Sequence, residues 1–319
     1  MALSEFEIIE RFFHRGAISR RDVALGIGDD GAVVRVADGC DLVISTDMLI
    51  SGVHFPADAE PNDIGFRALA VNLSDLAAMG AEPAWATLVL CLPEASEPWL
   101  SAFARGFFSL ADEASVQLVG GDITRGPLAI TVSVYGSVPR GKALLRSEAR
   151  PGDLIFVTGT LGDAAAALEP DLRTAPATYT QVLRQRLLRP TPRFIVGVGL
   201  RDVASSAIDI SDGLASDLGH IVEASGVGAR IEVASLPLSE PLCRLLMRQR
   251  AWEFALSGGD DYELCFTAPA GQGGLVASLA RSSDCPITQI GIIESELGLR
   301  WIMPDGSLLA IARSGYRHF

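Results

Sequence analysis

The stretch Val71-Asn-Leu-Ser-Asp75-Leu-Ala-Ala-Met-Gly80-Ala-Glu-Pro-Ala84-Trp-Ala-Thr-Leu-Val-Leu-Cys-Leu92 changes character part-way along. Leu69, Leu73 and Leu76 recur at helical spacing, which predicts a helix from about Asp63 to Met79 that stops at Gly80. The apolar run Ala84–Leu92 that follows predicts a buried strand. A helix feeding a buried strand points to a layered α/β architecture. One residue is out of place in it: Asp75 sits inside an otherwise apolar helix.

Outward from this stretch, strands and helices mix without a fixed repeat. Upstream, Ser4 and Glu7 form a capping box ahead of Phe6, Ile9 and Phe13, which predicts a short opening helix. Strand-like runs follow at Ala32–Val36 and Asp41–Thr46. Downstream come a helix at Pro98–Ala114 and strands at Val116–Val119 and Leu128–Val138. Past the turn Arg150-Pro-Gly-Asp153, strands are expected at Leu154–Thr158, Ala207–Ile210, Ala229–Val233, Glu263–Thr267 and Ile287–Ile293. A chain of 319 residues suits two domains. The boundary is expected near 150, dividing residues 1–149 from 150–319.

With 49% hydrophobic and 20% charged residues the chain should fold throughout. Its 26 basic and 39 acidic residues leave a net charge of −13, the wrong sign for gripping nucleic acid. Five scattered cysteines without a CxxC pair suggest neither a disulfide framework nor a zinc site. Acidic residues at positions 5, 7 and 10, and no apolar run long enough to span a bilayer, point to a cytoplasmic protein.

Two familiar phosphate motifs fail on inspection. Gly26-Ile-Gly28-Asp-Asp-Gly31 matches GxGxxG, but a strand-like run follows it instead of the helix a dinucleotide needs. Gly136-Ser-Val-Pro-Arg-Gly-Lys142-Ala143 lacks the hydroxyl that a P-loop uses to hold magnesium.

What remains is a set of acidic clusters: Asp29-Asp30, Ser45-Thr46-Asp47, Asn72-Leu-Ser-Asp75, Gly120-Gly121-Asp122, Asp209-Ile-Ser211-Asp212 and Gly258-Gly-Asp260-Asp261. Singly, each reads as a turn or a cap. Asp47 and Asp209, however, are expected at the carboxyl ends of apolar strands, and few Lys or Arg lie near any cluster in sequence. Buried carboxylates need a counter-charge, and an all-oxygen donor set favours Mg2+ over zinc or copper.

In this order, Gly26-Ile-Gly-Asp-Asp30, Ser45-Thr-Asp47, Val71 to Ala81, Gly120-Gly-Asp122-Ile-Thr-Arg-Gly-Pro, Asp209-Ile-Ser-Asp212-Gly-Leu, Ser257-Gly-Gly-Asp-Asp-Tyr-Glu-Leu264 and Gly315-Tyr-Arg-His-Phe319 resemble the thiamine-monophosphate kinase family from end to end. The resemblance implies an α/β (α+β) two-domain fold of the aminoimidazole ribonucleotide synthetase type. Its N-terminal sheet would pair across a homodimer, and its C-terminal α/β domain would close over the nucleotide. It implies ATP as co-substrate, thiamine monophosphate as acceptor and several Mg2+ ions. Asp30, Ser45, Thr46, Asp47, Asp75, Asp122 and Asp209 match the family's metal ligands, and Asp212 matches the ligand of a further ion. Gly121, Asp122, Arg146 and Ser211 match its ATP contacts, while His54, Asp260 and Tyr316 match the thiamine end. Asp47, Asp75, Asp122, Arg146 and Asp212 are the expected catalytic set. Asp260 stands where many members carry Glu, and Tyr316 where many carry Trp. The competing readings are another ATP-dependent enzyme of the superfamily, acting on an aminoimidazole or selenium substrate, and a non-catalytic magnesium-nucleotide binder.

Overall fold

The computed structural model describes residues 3–15, 20–311 and 315. The chain divides into two compact units, one of residues 1–76 and 81–141, the other of residues 77–80 and 142–319.

The first unit opens with the expected capped turn, α1 (Glu5–Ile8), which passes into a wider turn through Phe13. A small antiparallel ribbon follows, β1 (Val23–Leu25) with β2 (Val33–Val34). Then come β3 (Cys40–Ile50), α2 (Pro61–Ala78), β4 (Glu82–Leu92), α3 (Glu97–Glu113), β5 (Gln117–Arg125) and β6 (Ala129–Pro139). The four long strands form one sheet in the order β3-β6-β4-β5, with β4 and β5 parallel and the other pairs antiparallel.

Burial along β6 alternates strictly: Ile130, Val132, Val134, Gly136 and Val138 are buried, and the residues between them are half-exposed. The period-2 pleat therefore gives this sheet one packed face and one open face. On β3 the open face is apolar as well, with Leu42, Ile44, Met48 and Ile50 all exposed. Across the packed face, α2 is buried almost all round from Ala68 to Ala78, Asp75 being the half-buried exception.

Two strands run further than their composition suggests. Asp47 does not end β3 but lies inside it, because the antiparallel register with β6 continues unbroken from Cys40 to Ile50. Its side chain is accommodated by alternation, which turns Ser45 and Asp47 to one face and Thr46 to the other. Similarly, β5 runs on through Gly120-Gly121-Asp122 because it stays hydrogen-bonded to β4.

The second unit is built on a six-stranded sheet in the order β12-β9-β11-β7-β10-β8. Its strands are β7 (Leu154–Thr158), β8 (Ser206–Asp209), β9 (Gly228–Glu232), β10 (Leu264–Ala268), β11 (Ile287–Glu294) and β12 (Gly298–Ile302). Between them lie α4 (Asp163–Ala166), α5 (Ala177–Leu188), α6 (Phe194–Gly199), α7 (Leu214–Ser225), α8 (Glu240–Leu245), α9 (Arg248–Ser257) and α10 (Gly273–Ser282). The first five strands answer the expectations closely. β12 has no match among them: its short run becomes a strand only through parallel pairing with β9.

In the first unit α2 and α3 approach backbone to backbone. A Cβ on Gly106 would lie 1.7 Å from the Asn62 carbonyl oxygen, and one on Gly65 would lie 2.1 Å from that of Phe103. Backbone cannot yield there as a flexible side chain would. Gly106→Ala is therefore expected to cost about 1–3 kcal/mol or more through forced separation of the two helices, read as a lowered urea midpoint.

Candidate active site

The first acidic group forms where β3 meets α2. Ser45 Oγ donates to Asp75 Oδ2 at 2.6 Å. Asn72, fully buried, donates from Nδ2 to the Ala68 carbonyl and accepts the Asp47 amide at Oδ1, 2.9 Å in each case. Helix and strand are thereby locked so that Asp47 and Asp75 face a common space. Burial, and then the charge of Asp75, push the Asp47 carboxyl up to about 6. Two carboxylates held close enough to resist joint ionisation form a place where a cation is favoured. Thr46 turns the other way and donates to Ser133 Oγ at 2.8 Å.

A second group lines a cavity of about 700 Å3 in the same unit. Asp30, Gly121 and Asp122 contribute to its wall, together with Phe6, Ile9 and Leu88. Gly121 is obligatory there: its φ is +152°, and a Cβ would lie 1.8 Å from the Leu88 carbonyl oxygen. Asp47, Val132, Leu88 and Gly121 occupy one row across the sheet. The two groups therefore stand at opposite edges, roughly 14 Å apart by strand spacing. The loop Gly26–Gly31 leads into β2 and not into a helix, so the dinucleotide reading fails in the structure as well. His54 is set after β3, where its Nδ1 accepts the Ile50 amide at 3.0 Å. In the neutral ring this leaves the proton on Nε2.

In the second unit, Asp209 ends β8 and pairs with Leu264 at the start of β10. Beyond this pair, Asp260 donates its amide to the Ser211 carbonyl, and Tyr262 donates to that of Ile210, each at 2.8 Å. Ser211, Asp212 and Asp260 are thus brought together. Asp217 secures the first of these loops by accepting the amides of Asp212 and Gly213, both at 3.1 Å. Its carboxyl is raised to about 7, by burial first and then by the charge of Asp212. Gly315 lies against the same loop, since a Cβ there would come within 2.7 Å of the Asp212 carbonyl oxygen. Arg146 is exposed, and its carbonyl accepts from Ser225 Oγ at 3.0 Å. Tyr316 falls outside the described residues.

Beneath Asp260 the acids are neutralised by protein groups. Asp261 accepts the Gly162 amide on both oxygens, at 2.9 and 3.0 Å, and burial holds its carboxyl well above the usual range. Glu263 is gripped by Arg186 and by both Nε and Nη2 of Arg193, each contact 2.6 Å, and it accepts from Thr158 Oγ1 at 2.6 Å. Burial would raise the Glu263 carboxyl, but these hydrogen bonds and charges outweigh it and hold the group below its usual range. Here the scarcity of nearby Lys and Arg misled. The two arginines lie 77 and 70 residues away in sequence, and only the fold delivers them. Asn72, Asp217, Asp261 and Glu263 carried no role in the sequence reading. A polar residue in the middle of the apolar α2 and an Asp four residues past Gly213 were the available signals.

The residues match the family description AIR synthase related protein, N-terminal domain, over 28–138 and its C-terminal counterpart over 150–302. The chain is 50% identical to the thiamine-monophosphate kinase of Salmonella typhimurium, covering 100% of this chain and 99% of the relative. It belongs to the thiamine-monophosphate kinase family. A crystal structure of the thiamine-monophosphate kinase from Stenotrophomonas maltophilia superposes with a TM-score of 0.89 at 50% identity, covering 97% of this chain and 99% of that one. The structure of AaThiL complexed with AMPPCP and TMP superposes with a TM-score of 0.77 at 34% identity, covering 92% of each chain. Membership accounts for the two-domain mixed α/β architecture and for the motif order.

Among the described residues no group of three or more His, Cys, Asp or Glu side chains is placed to hold a metal. The set that does converge, Asp47, Asp75 and the Ser45 hydroxyl, still fits Mg2+, which takes one or two carboxylates and completes its shell with phosphate and water.

Removing the charge of Glu263 would leave two guanidinium groups against a neutral partner. Glu263→Gln is therefore expected to destabilise the protein by about 3 kcal/mol, measured as a lower denaturant midpoint.

Proposed function

We propose that this chain carries out the reaction of its family, transfer of the γ-phosphoryl group of ATP to the phosphate of thiamine monophosphate, with Mg2+ held by its carboxylates. The observation that carries the reading is the facing pair Asp47 and Asp75, set in place by Ser45 and Asn72, where burial and the charge of Asp75 push the Asp47 carboxyl up. Such a pair suits an acidic protein whose two substrates are anions.

Asp47, Asp75 and Ser45 would hold one ion, and Asp30 and Asp122 would supply further ligands; in the second unit, Asp209 and Asp212 match metal ligands of the family. Mg2+ held there would supply positive charge to offset that gathering on the transferring group. Gly121 brings backbone close to the donor phosphates because no side chain intervenes, and Ser211 offers a hydroxyl. Arg146 supplies a fixed positive charge that a carboxylate site lacks. His54, Asp260 and Tyr316 address the thiamine end.

The acceptor is a phosphate already ionised near neutral pH, so no general base has to remove a proton. We therefore assign direct in-line transfer without a phosphoenzyme. ADP release that depends on added thiamine monophosphate tests the reading, and ADP release indifferent to it would overturn the reading. Asp47→Asn and Asp75→Asn are each expected to lower kcat by about 100-fold or more, with circular dichroism unchanged. Wild-type turnover in either variant would remove the metal-based account.

The open face of β3 supports a homodimer. Ile44 is 57% exposed and Met48 55%, on a strand whose other face is packed. An apolar sheet face of this kind is commonly covered by a partner. Light scattering is expected to return twice the chain mass, and Ile44→Lys with Met48→Lys should halve it. Among the described residues no helix is long and apolar enough to cross a membrane, and we assign the protein to the cytoplasm, where ATP is supplied.

A further inference from the structure

The segment Gly259-Asp-Asp-Tyr-Glu263 has an unusual backbone. Asp260 has φ +61° and Tyr262 φ +51°, two non-glycine residues in the left-handed region with one residue between them. Each such conformation is costly and persists only where its surroundings over-determine it, which happens most often at ligand clamps. The surroundings here do so from both sides. Side chains alternate along the segment, Asp261 and Glu263 being buried while Asp260 and Tyr262 are half-exposed. From below, the Gly162 amide holds Asp261, and the Arg186 and Arg193 guanidinium groups hold Glu263. At the level of the backbone, Ser211 and Ile210 accept the amides of Asp260 and Tyr262.

The left-handed turns bring two side chains of the outer set together. The Tyr262 hydroxyl donates to Asp260 Oδ1 at 3.2 Å. A carboxylate on a surface loop ordinarily samples several rotamers, and a donor rigidly attached to an aromatic ring selects one of them. Packing alone would require the ring of Tyr262 and not its hydroxyl.

We infer that Tyr262 is a positioning residue for the acceptor, its hydroxyl fixing the Asp260 carboxylate in the orientation that receives a cationic heteroaromatic ring. The inference rests on the proposed function, in which Asp260 meets the thiamine end of the acceptor. Asp261 and Glu263 then serve as the buried foundation that makes the strained loop affordable.

Tyr262→Phe keeps the ring and removes only the hydroxyl. Steady-state kinetics should show the KM for thiamine monophosphate rising about 3- to 10-fold, as for loss of one ordinary hydrogen bond. The kcat and the KM for ATP should stay within about twofold of wild type, and Tm should not move. Because Tyr262 acts through Asp260, the same substitution in an Asp260→Ala background should leave the KM for thiamine monophosphate unchanged. An unaltered KM in Tyr262→Phe overturns the inference, as does an effect that survives in the Asp260→Ala background or an equal rise in the KM for ATP. Turnover of the wild-type protein separates the two levels. If it does not depend on thiamine monophosphate, the function reading fails and takes this inference with it; if it does, an unchanged KM in the variant sinks the inference alone.

Discussion

A carboxylate taken out of water costs several kcal/mol unless something opposes its charge, and this chain takes many out of water. The second unit answers with protein groups: two guanidinium groups for Glu263, a backbone amide for Asp261, two more amides for Asp217. At the junction of β3 and α2 like charges face each other instead. Burial and the charge of Asp75 push the Asp47 carboxyl up, while Ser45 and Asn72 hold the two elements in register. The contrast separates acids gripped by protein donors from a like-charged pair beside which a cation is favoured.

The same division runs through the loops around Asp260. Asp261 and Glu263 alternate with positions that face outward, and the left-handed backbone at Asp260 and Tyr262 accompanies that alternation. Their partners, Gly162 ahead of α4, Arg186 of α5 and Arg193 ahead of α6, lie 99, 77 and 70 residues away in sequence. Tight backbone contacts hold the rest of the frame at fixed spacing. Gly259 and Gly213 allow the Asp260 and Asp212 loops to touch, and Gly121 allows β5 to lie against Leu88. None of these glycines can accept a side chain without moving backbone.

Much of the frame was legible in the amino-acid order. The helix ending at Gly80, the strand at Ala84–Leu92 and the capping box at Ser4 all depend on residues within one or two turns of each other, and local periodicity reports such features directly. The ordered acidic motifs were legible too, because each is contiguous. Strand ends were less so. Ser45-Thr46-Asp47 and Gly120-Gly121-Asp122 look like breaks, yet β3 and β5 continue through them because a neighbouring strand offers unbroken hydrogen bonds.

By itself the sequence determined the α/β class, the oxygen-rich donor chemistry and the family to which the chain belongs, since those follow from residue type and order. Only the tertiary structure decided which acids are gripped by protein groups and which are set face to face. Arg186 and Arg193 reach Glu263 across 77 and 70 residues, and Asn72 meets Asp47 only when α2 lies on β3. Charge compensation depends on distance in space, and composition carries no record of which distant residues will be near.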